Sequence, residues 1–179
     1  MITMPATLRT ARLHLRAPCA EDAPGVLAYV GDARAMRYMV WPMAETIEDV
    51  YNLLDDMAWG WHDGDDFAYA ITATHEQALV GMISCQFSDD GAELGFILHP
   101  DHWGRGLARE AGAAVMAAAC EIDDLYRIWA CCDVDNTASM RVLEHLGMQR
   151  EGVLRRRSKR PNLSAADEPR DDAVFAWVR

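Results

Sequence analysis

The residue types and spacing best suited to chemistry lie in one short run, Trp103-Gly104-Arg105-Gly106-Leu107-Ala108. Gly104 and Gly106 carry no Cβ, so the backbone there can take positive φ and approach a ligand closely. If a helix opens at Leu107, its first turn leaves amide N–H groups without partners, and its dipole adds roughly half a positive charge. Such an end binds phosphate or pyrophosphate, with Arg105 and Arg109 as further cations. The alternative is a tight turn that needs glycine and binds nothing, because Gly-x-Gly alone is a weak signal. No Gly-Lys-Ser/Thr follows, so the run is not a P-loop, and it is not a full Gly-x-Gly-x-x-Gly either.

This run needs a strand before it and a helix after it. AELGFIL (92–98) reads as the strand, and 107–122, apolar at 107, 111, 115, 118 and 122, reads as the helix. Upstream, LRTARLHLR (8–16) alternates as a strand, and helical spacing follows over 20–30 and 46–61. Thr46 with Asp49 comes close to a capping box. FAYAITA (67–73) and ALVGMISCQF (78–87) complete an antiparallel meander, with hairpin turns at His75-Glu76-Gln77 and Ser88-Asp89-Asp90-Gly91. Downstream come RIWACCDV (127–134) as a buried strand and a helix over 136–146, capped by Asn136 and stopped by Gly147. Strands MQREGVLRRR (148–157) and DAVFAWV (172–178) flank a polar loop containing Pro161 and Pro169. The pattern is α+β, a mixed sheet with helices on its faces, in a single domain over 1–179.

Composition bounds the function. The 179 residues are 51% hydrophobic and include 6 Trp, 5 Tyr and 4 Phe, which excludes disorder. No apolar run approaches the ~20 residues that span a bilayer, and MITMPATLRT lacks a signal-peptide core, so a soluble, cytoplasmic protein is expected. The net charge of −11 disfavours nucleic acid and favours cations such as protonated amines. Residues 150–160 (REGVLRRRSKR) hold six cations and one anion with no interleaved aromatic, which reads as solvated charge, a subunit contact or a docking surface. Cys19, Cys85, Cys120, Cys131 and Cys132 form no C-x-x-C pair and read as reduced thiols. His14, His62, His75, His99, His102 and His145 are scattered, so no metal site is expected. Trp41, Trp59 and Trp61 read as core or substrate-wall residues.

The order and spacing of TARLHLRAPCAEDA (10–23), AELGFILHPDHWGRGLAREA (92–111), NTASMRVLEHLGMQREGVLR (136–155) and RDDAVFAWVR (170–179) resemble a GNAT-type N-acetyltransferase. Within that superfamily the chain looks like the ribosomal-protein N-terminal acetyltransferases, the RimJ/RimL branch. The superfamily's acyl-CoA motif, Gln/Arg-x-x-Gly-x-Gly/Ala, falls on Trp103-x-x-Gly106-x-Ala108. Trp in first place departs from the general pattern but is usual in this branch, and Leu107 replaces the branch's usual aromatic.

This resemblance implies an acyl-CoA N-acyltransferase fold, its mostly antiparallel sheet splayed between the fourth and fifth strands, with helices on both faces. It implies direct acetyl transfer from acetyl-CoA, the cosubstrate, to a primary amine in a ternary complex. The acceptor would be the N-terminal α-amine of a protein or peptide, or else a polyamine, aminoglycoside or similar small amine. The amides of Gly104, Arg105, Gly106, Leu107, Ala108 and Arg109 would cradle the pyrophosphate, and Trp103 belongs to the same motif. The pantetheine would pair with backbone at Phe96, Ile97 and Leu98, where an N–H could also stabilise the oxyanion, worth about 3–4 kcal/mol elsewhere. Asn136 would bond the pantetheine arm.

Glu93 matches an acidic position of the family and would serve as base; Asp133 and Asp135 are rivals. Ser139 falls where RimL-like enzymes carry a serine proposed to serve the leaving sulfur, or it supports its helix cap. Leu143 occupies the place of the superfamily's usual Tyr and cannot donate, and Tyr126 is another donor candidate. Acceptor choice would reside in the 32–65 helical region and the 161–169 loop. No nucleic-acid or membrane partner is implied, and the chain would act as a monomer or homodimer. The rival classes are a non-catalytic acyl-CoA sensor and a nucleotide-phosphate binder using only the glycine turn.

Overall fold

The computed structural model describes residues 2–76, 78–163 and 168–179. The segment expected as one strand at 8–16 is a hairpin, β1 (Thr7–Arg9) pairing antiparallel with β2 (Leu13–Arg16). Thr10 causes the break: its hydroxyl accepts the Leu13 N–H at 2.9 Å, a local bond that competes with continued extension. Leu13 and Leu15 are buried while His14 and Arg16 alternate with them, as the period of two requires.

Helix α1 (Ala23–Val30) follows a short 3-10 turn and leads into a four-residue helix, α2 (Ala33–Met36). That piece is too short to leave a periodic signal of its own. Helix α3 (Ile47–Asp63) opens on the capping box of Thr46 and Asp49. The meander is β3 (Asp66–Ala73), β4 (Leu79–Ser88) and β5 (Gly91–Leu98). Gln77, in the first expected hairpin turn, lies outside the described residues.

The second half is α4 (Leu107–Ala119), β6 (Arg127–Asp133), α5 (Thr137–His145), β7 (Gln149–Ser158) and β8 (Arg170–Val178). α4 ends short of the expected Ile122, whose N–H instead closes a turn on the Ala119 carbonyl at 3.0 Å.

The eight strands form one sheet in the order β1-β2-β3-β4-β5-β6-β8-β7. Every pairing is antiparallel except β5 with β6, which run parallel and meet only at Ala92 opposite Ile128 and Glu93 opposite Trp129. Beyond Glu93 the two strands diverge. This is the expected splay between fourth and fifth strands, counted with the N-terminal hairpin as one.

Tyr69, Ile71, Ile83 and Leu94 form one core with Ala111, Val115 and Ala119 of α4. Val26 and Tyr29 of α1 and Val50 and Leu54 of α3 form a second, closed onto Met82 and Ile97. Each large apolar side chain buried this way contributes about 1.5–3 kcal/mol. Among the described residues no helix is long and apolar enough to cross a membrane.

Candidate functional site

The glycine turn begins where β5 ends. The Trp103 indole donates to the Leu98 carbonyl at 2.9 Å, pinning the turn to the strand it leaves. Gly104 and Gly106 take φ of 73° and 74°, the left-handed region that glycine enters without strain. Gly106 is the N-cap of α4, and among the described residues no side chain caps that helix. The first helical bond runs from the Glu110 N–H to the Gly106 carbonyl at 3.1 Å, so the amides of Leu107, Ala108 and Arg109 stand ahead of the helical ladder. Arg12 braces the turn from β2's side, donating to the Arg105 carbonyl at 3.0 Å and pairing with Glu110 at 2.6 Å.

Above these amides lies a cavity of about 810 Å³, walled by Phe96, Ile97, Leu98, Trp103, Gly104, Gly106, Leu107, Ala108, Arg109, Asn136 and Ser139. Arg34, Arg37, Arg109, Arg141, His102 and His145 also face it. Four arginines at one concavity of a chain with net charge −11 make an anion receptacle. Of the expected residues, the Arg105 side chain alone is turned aside, paired with Glu76 at 2.8 Å and bonded to His102.

The splay opens a second cavity of about 540 Å³. Glu93, Asp66 and Arg157 bring charge to it; Trp41, Met57 and Leu143 bring apolar wall. The two cavities share Tyr38, Met39, Phe96, Ile97, Asn136 and Ser139. An anion receptacle and a mixed apolar and acidic chamber therefore meet at the point where β5 loses its neighbour.

Burial lifts the Glu93 carboxyl above its ordinary range; Arg157 opposes that shift, while Asp66 and Asp172 add to it. Asp66 is likewise raised, by burial first and then by Asp65. Its Oδ1 has no hydrogen-bond partner among the described residues. Asn136 caps α5 by accepting the Ser139 N–H on Oδ1 at 3.2 Å, and its amide NH2 group makes no hydrogen bond among the described residues. Ser139 thus supports the cap through its backbone, and its hydroxyl makes no hydrogen bond among the described residues.

The rival candidates are engaged with other partners. Burial would raise Asp133, but Arg170 at 2.6 Å outweighs it and leaves the carboxyl below its ordinary range. Asp135 pairs with the same Arg170, and neither carboxylate faces either cavity. Tyr126 donates to the Asp89 carbonyl at 3.0 Å, away from both cavities. Leu143 is buried in the wall of the second cavity. Trp41 lines that cavity too, Trp61 packs edge-on against Phe67 and Tyr69 in the core, and Trp59 is exposed.

The basic run is not wholly solvated: Arg160 is buried against Asp172, and Arg157 faces the second cavity.

Sequence reasoning missed Tyr38 and Met39, which follow α2, and the arginines Arg34, Arg37 and Arg141. Arg141 left a usable signal, since Ala138, Arg141, Val142 and His145 share one face of α5 and all line the first cavity. The segment bearing Tyr38 left none. It is held from across the chain by Asn162, whose amide donates to the Met36 and Trp41 carbonyls, each at 2.8 Å. Of the 161–169 loop, residues 164–167 lie outside the described residues.

Residues 12–149 match the acetyltransferase (GNAT) domain family. An uncharacterised N-acetyltransferase of Bacillus subtilis, YoaA, is 30% identical over 151 residues, 83% of this chain and 85% of its own. The spermidine N(1)-acetyltransferase of Escherichia coli K12 is 26% identical over 135 residues, 75% of this chain and 71% of its own. Among solved structures, RimL, a ribosomal L7/L12 α-N-protein acetyltransferase in complex with coenzyme A, superposes with a TM-score of 0.83 at 19% identity. The match covers 98% of this chain and 97% of that one.

Proposed function

The chain belongs to the acetyltransferase (GNAT) family, and we propose that it transfers the acetyl group of acetyl-CoA to the N-terminal α-amine of a protein or peptide. One observation carries this reading: the cationic cavity and the acidic one share Phe96, Ile97, Asn136 and Ser139 at the mouth of the splay. A coenzyme on one side and an amine on the other would meet there.

Acetyl-CoA supplies an acyl group already activated as a thioester. The residues present fit it: the amides ahead of α4 suit the pyrophosphate, and Arg109 and Arg141 add charge. The edge of β5 past Glu93, with no strand beside it, offers backbone at Phe96, Ile97 and Leu98 to the pantetheine amides. A backbone N–H of that edge would also oppose charge gathering on the acyl oxygen. Asn136 lines the same path.

The attacking amine must be neutral, although an α-amine with pKa about 8 is mostly protonated at pH 7. Glu93 takes that proton, directly or through a water, and its upward-shifted pKa brings it nearer to the task. The Ser139 hydroxyl serves the departing sulfur. Structural likeness to RimL supports the N-terminal acceptor and the RimJ/RimL branch. A second reading, a polyamine acceptor, is favoured by the carboxylates Asp56, Asp66 and Glu93 in one cavity and by the spermidine-acetylating relative.

A thiol-release assay over N-terminal peptides, spermidine and other small amines separates the readings. Faster turnover of peptides supports the first, faster turnover of spermidine the second. No release with any amine, while CoA still binds, would leave only a sensor.

A further inference from the structure

Strand β7 shifts register against β8 twice, between Arg150 and Gly152 and again beyond Leu154. Between Leu154, opposite Asp172, and Ser158, opposite Arg170, three residues stand across from the single Asp171. They are Arg155, Arg156 and Arg157. Arg156 is the one non-glycine residue with positive φ among the described residues, at 51°. Its N–H donates to the Asp171 carboxylate at 2.8 Å, which holds the bulge in place. A bulge beside a site re-aims a side chain that a regular strand would leave elsewhere. Arg157 is the side chain brought here to the cavity that holds Glu93.

Its charge acts on Glu93, but among the described residues no carboxylate accepts a hydrogen bond from it. Asp172 already accepts from the Ser158 hydroxyl and the Arg160 guanidinium, and Asp133 is held by Arg170. Arg157 comes no nearer to Asp172 than 3.9 Å, and its side chain is 45% exposed. No hydrogen bond of its guanidinium is found among the described residues. That group presents a rigid fork of donors matched to a carboxylate.

We propose that Arg157 is the receptor for a carboxylate that the acceptor carries close to its amine. The proposal rests on the acetyl-transfer reading and narrows its acceptor class: the amine faces Glu93 while the neighbouring anion is held by Arg157. Two sources supply that chemistry, the α-carboxylate of a free amino acid or an acidic side chain next to a peptide's N-terminus. A plain polyamine has no such group.

The test uses calorimetry on the full-length protein saturated with CoA, so that binding is read apart from turnover. The probes are two pairs, alanine against alaninamide and Ala-Glu-amide against Ala-Gln-amide. In at least one pair the carboxylate-bearing member should bind about tenfold or more tightly, as a charge-assisted bond implies. The preferring pair identifies the source. Arg157→Gln should bring that ratio close to one with unchanged CoA affinity and melting temperature, and Arg157→Lys should restore part of it. Equal binding within both pairs, no binding of either pair, or a preference that survives Arg157→Gln overturns the proposal. Thiol release on the same probes tests the other reading separately: discrimination in binding without turnover would sink acetyl transfer to these acceptors and leave the Arg157 site standing.

Discussion

Glu93 sits where burial works against its own charge, and that fixes what its replacement should do. Glu93→Gln should lower kcat about a hundredfold, the usual scale for a lost general base, with acetyl-CoA affinity unchanged; initial rates with calorimetry check it. Because the carboxyl is raised by burial, the acid limb of the rate profile should fall at higher pH than for a free glutamate. The stability sign follows. A raised carboxyl disfavours the fold where it is ionised, so Glu93→Gln should raise Tm at neutral pH, and the gain should fade as pH drops through the raised pKa. For the leaving sulfur, Ser139→Ala is expected to slow turnover without lowering Tm, since the cap uses the Ser139 N–H rather than its hydroxyl. If rate loss instead follows Tyr38→Phe, the donor is the tyrosine shared by both cavities. Glu93 and Ser139 came into view through the family resemblance, and what the structure adds is their place in the cavity lining. Tyr38 was not legible in the sequence, because it follows a four-residue helix whose place is set by Asn162.

The elements that carry the site read well where periodicity is long. The meander, α4 and α5 came out within a few residues, while the N-terminal hairpin was hidden because the Thr10 bond interrupts an alternation that looks continuous. The bulge at Arg156 was illegible too. It depends on a register shift between β7 and β8 that no local pattern announces. At the start of α4, Gly106→Ala should cost roughly 1–2 kcal/mol through the left-handed φ and weaken acetyl-CoA, read by denaturation and calorimetry. The start of α5 separates cap from ligand contact: Asn136→Ala should lose about 1 kcal/mol of stability, whereas Asn136→Asp keeps the acceptor and loses the donor. Weaker coenzyme binding by the aspartate variant at unchanged Tm would assign the spare NH2 group to the pantetheine.

Across the whole molecule, an acidic chain gathers cationic side chains around one cavity and carboxylates in the next. Composition showed the acidic balance but not this separation, because Arg34, Arg109 and Arg141 come from three helices far apart in sequence. The junction was likewise beyond local reading, since it exists only where β5 and β6 diverge after two paired rows. One consequence is electrostatic: coenzyme affinity should fall with rising ionic strength, as screening weakens the arginine field. A crystal structure of the protein with acetyl-CoA and an unreactive acceptor analogue tests the arrangement most directly. The pyrophosphate should lie against the amides of Leu107, Ala108 and Arg109, with the thioester at Ser139 and the analogue beside Glu93. A coenzyme seated away from α4, or an acceptor outside the chamber holding Glu93, would contradict it.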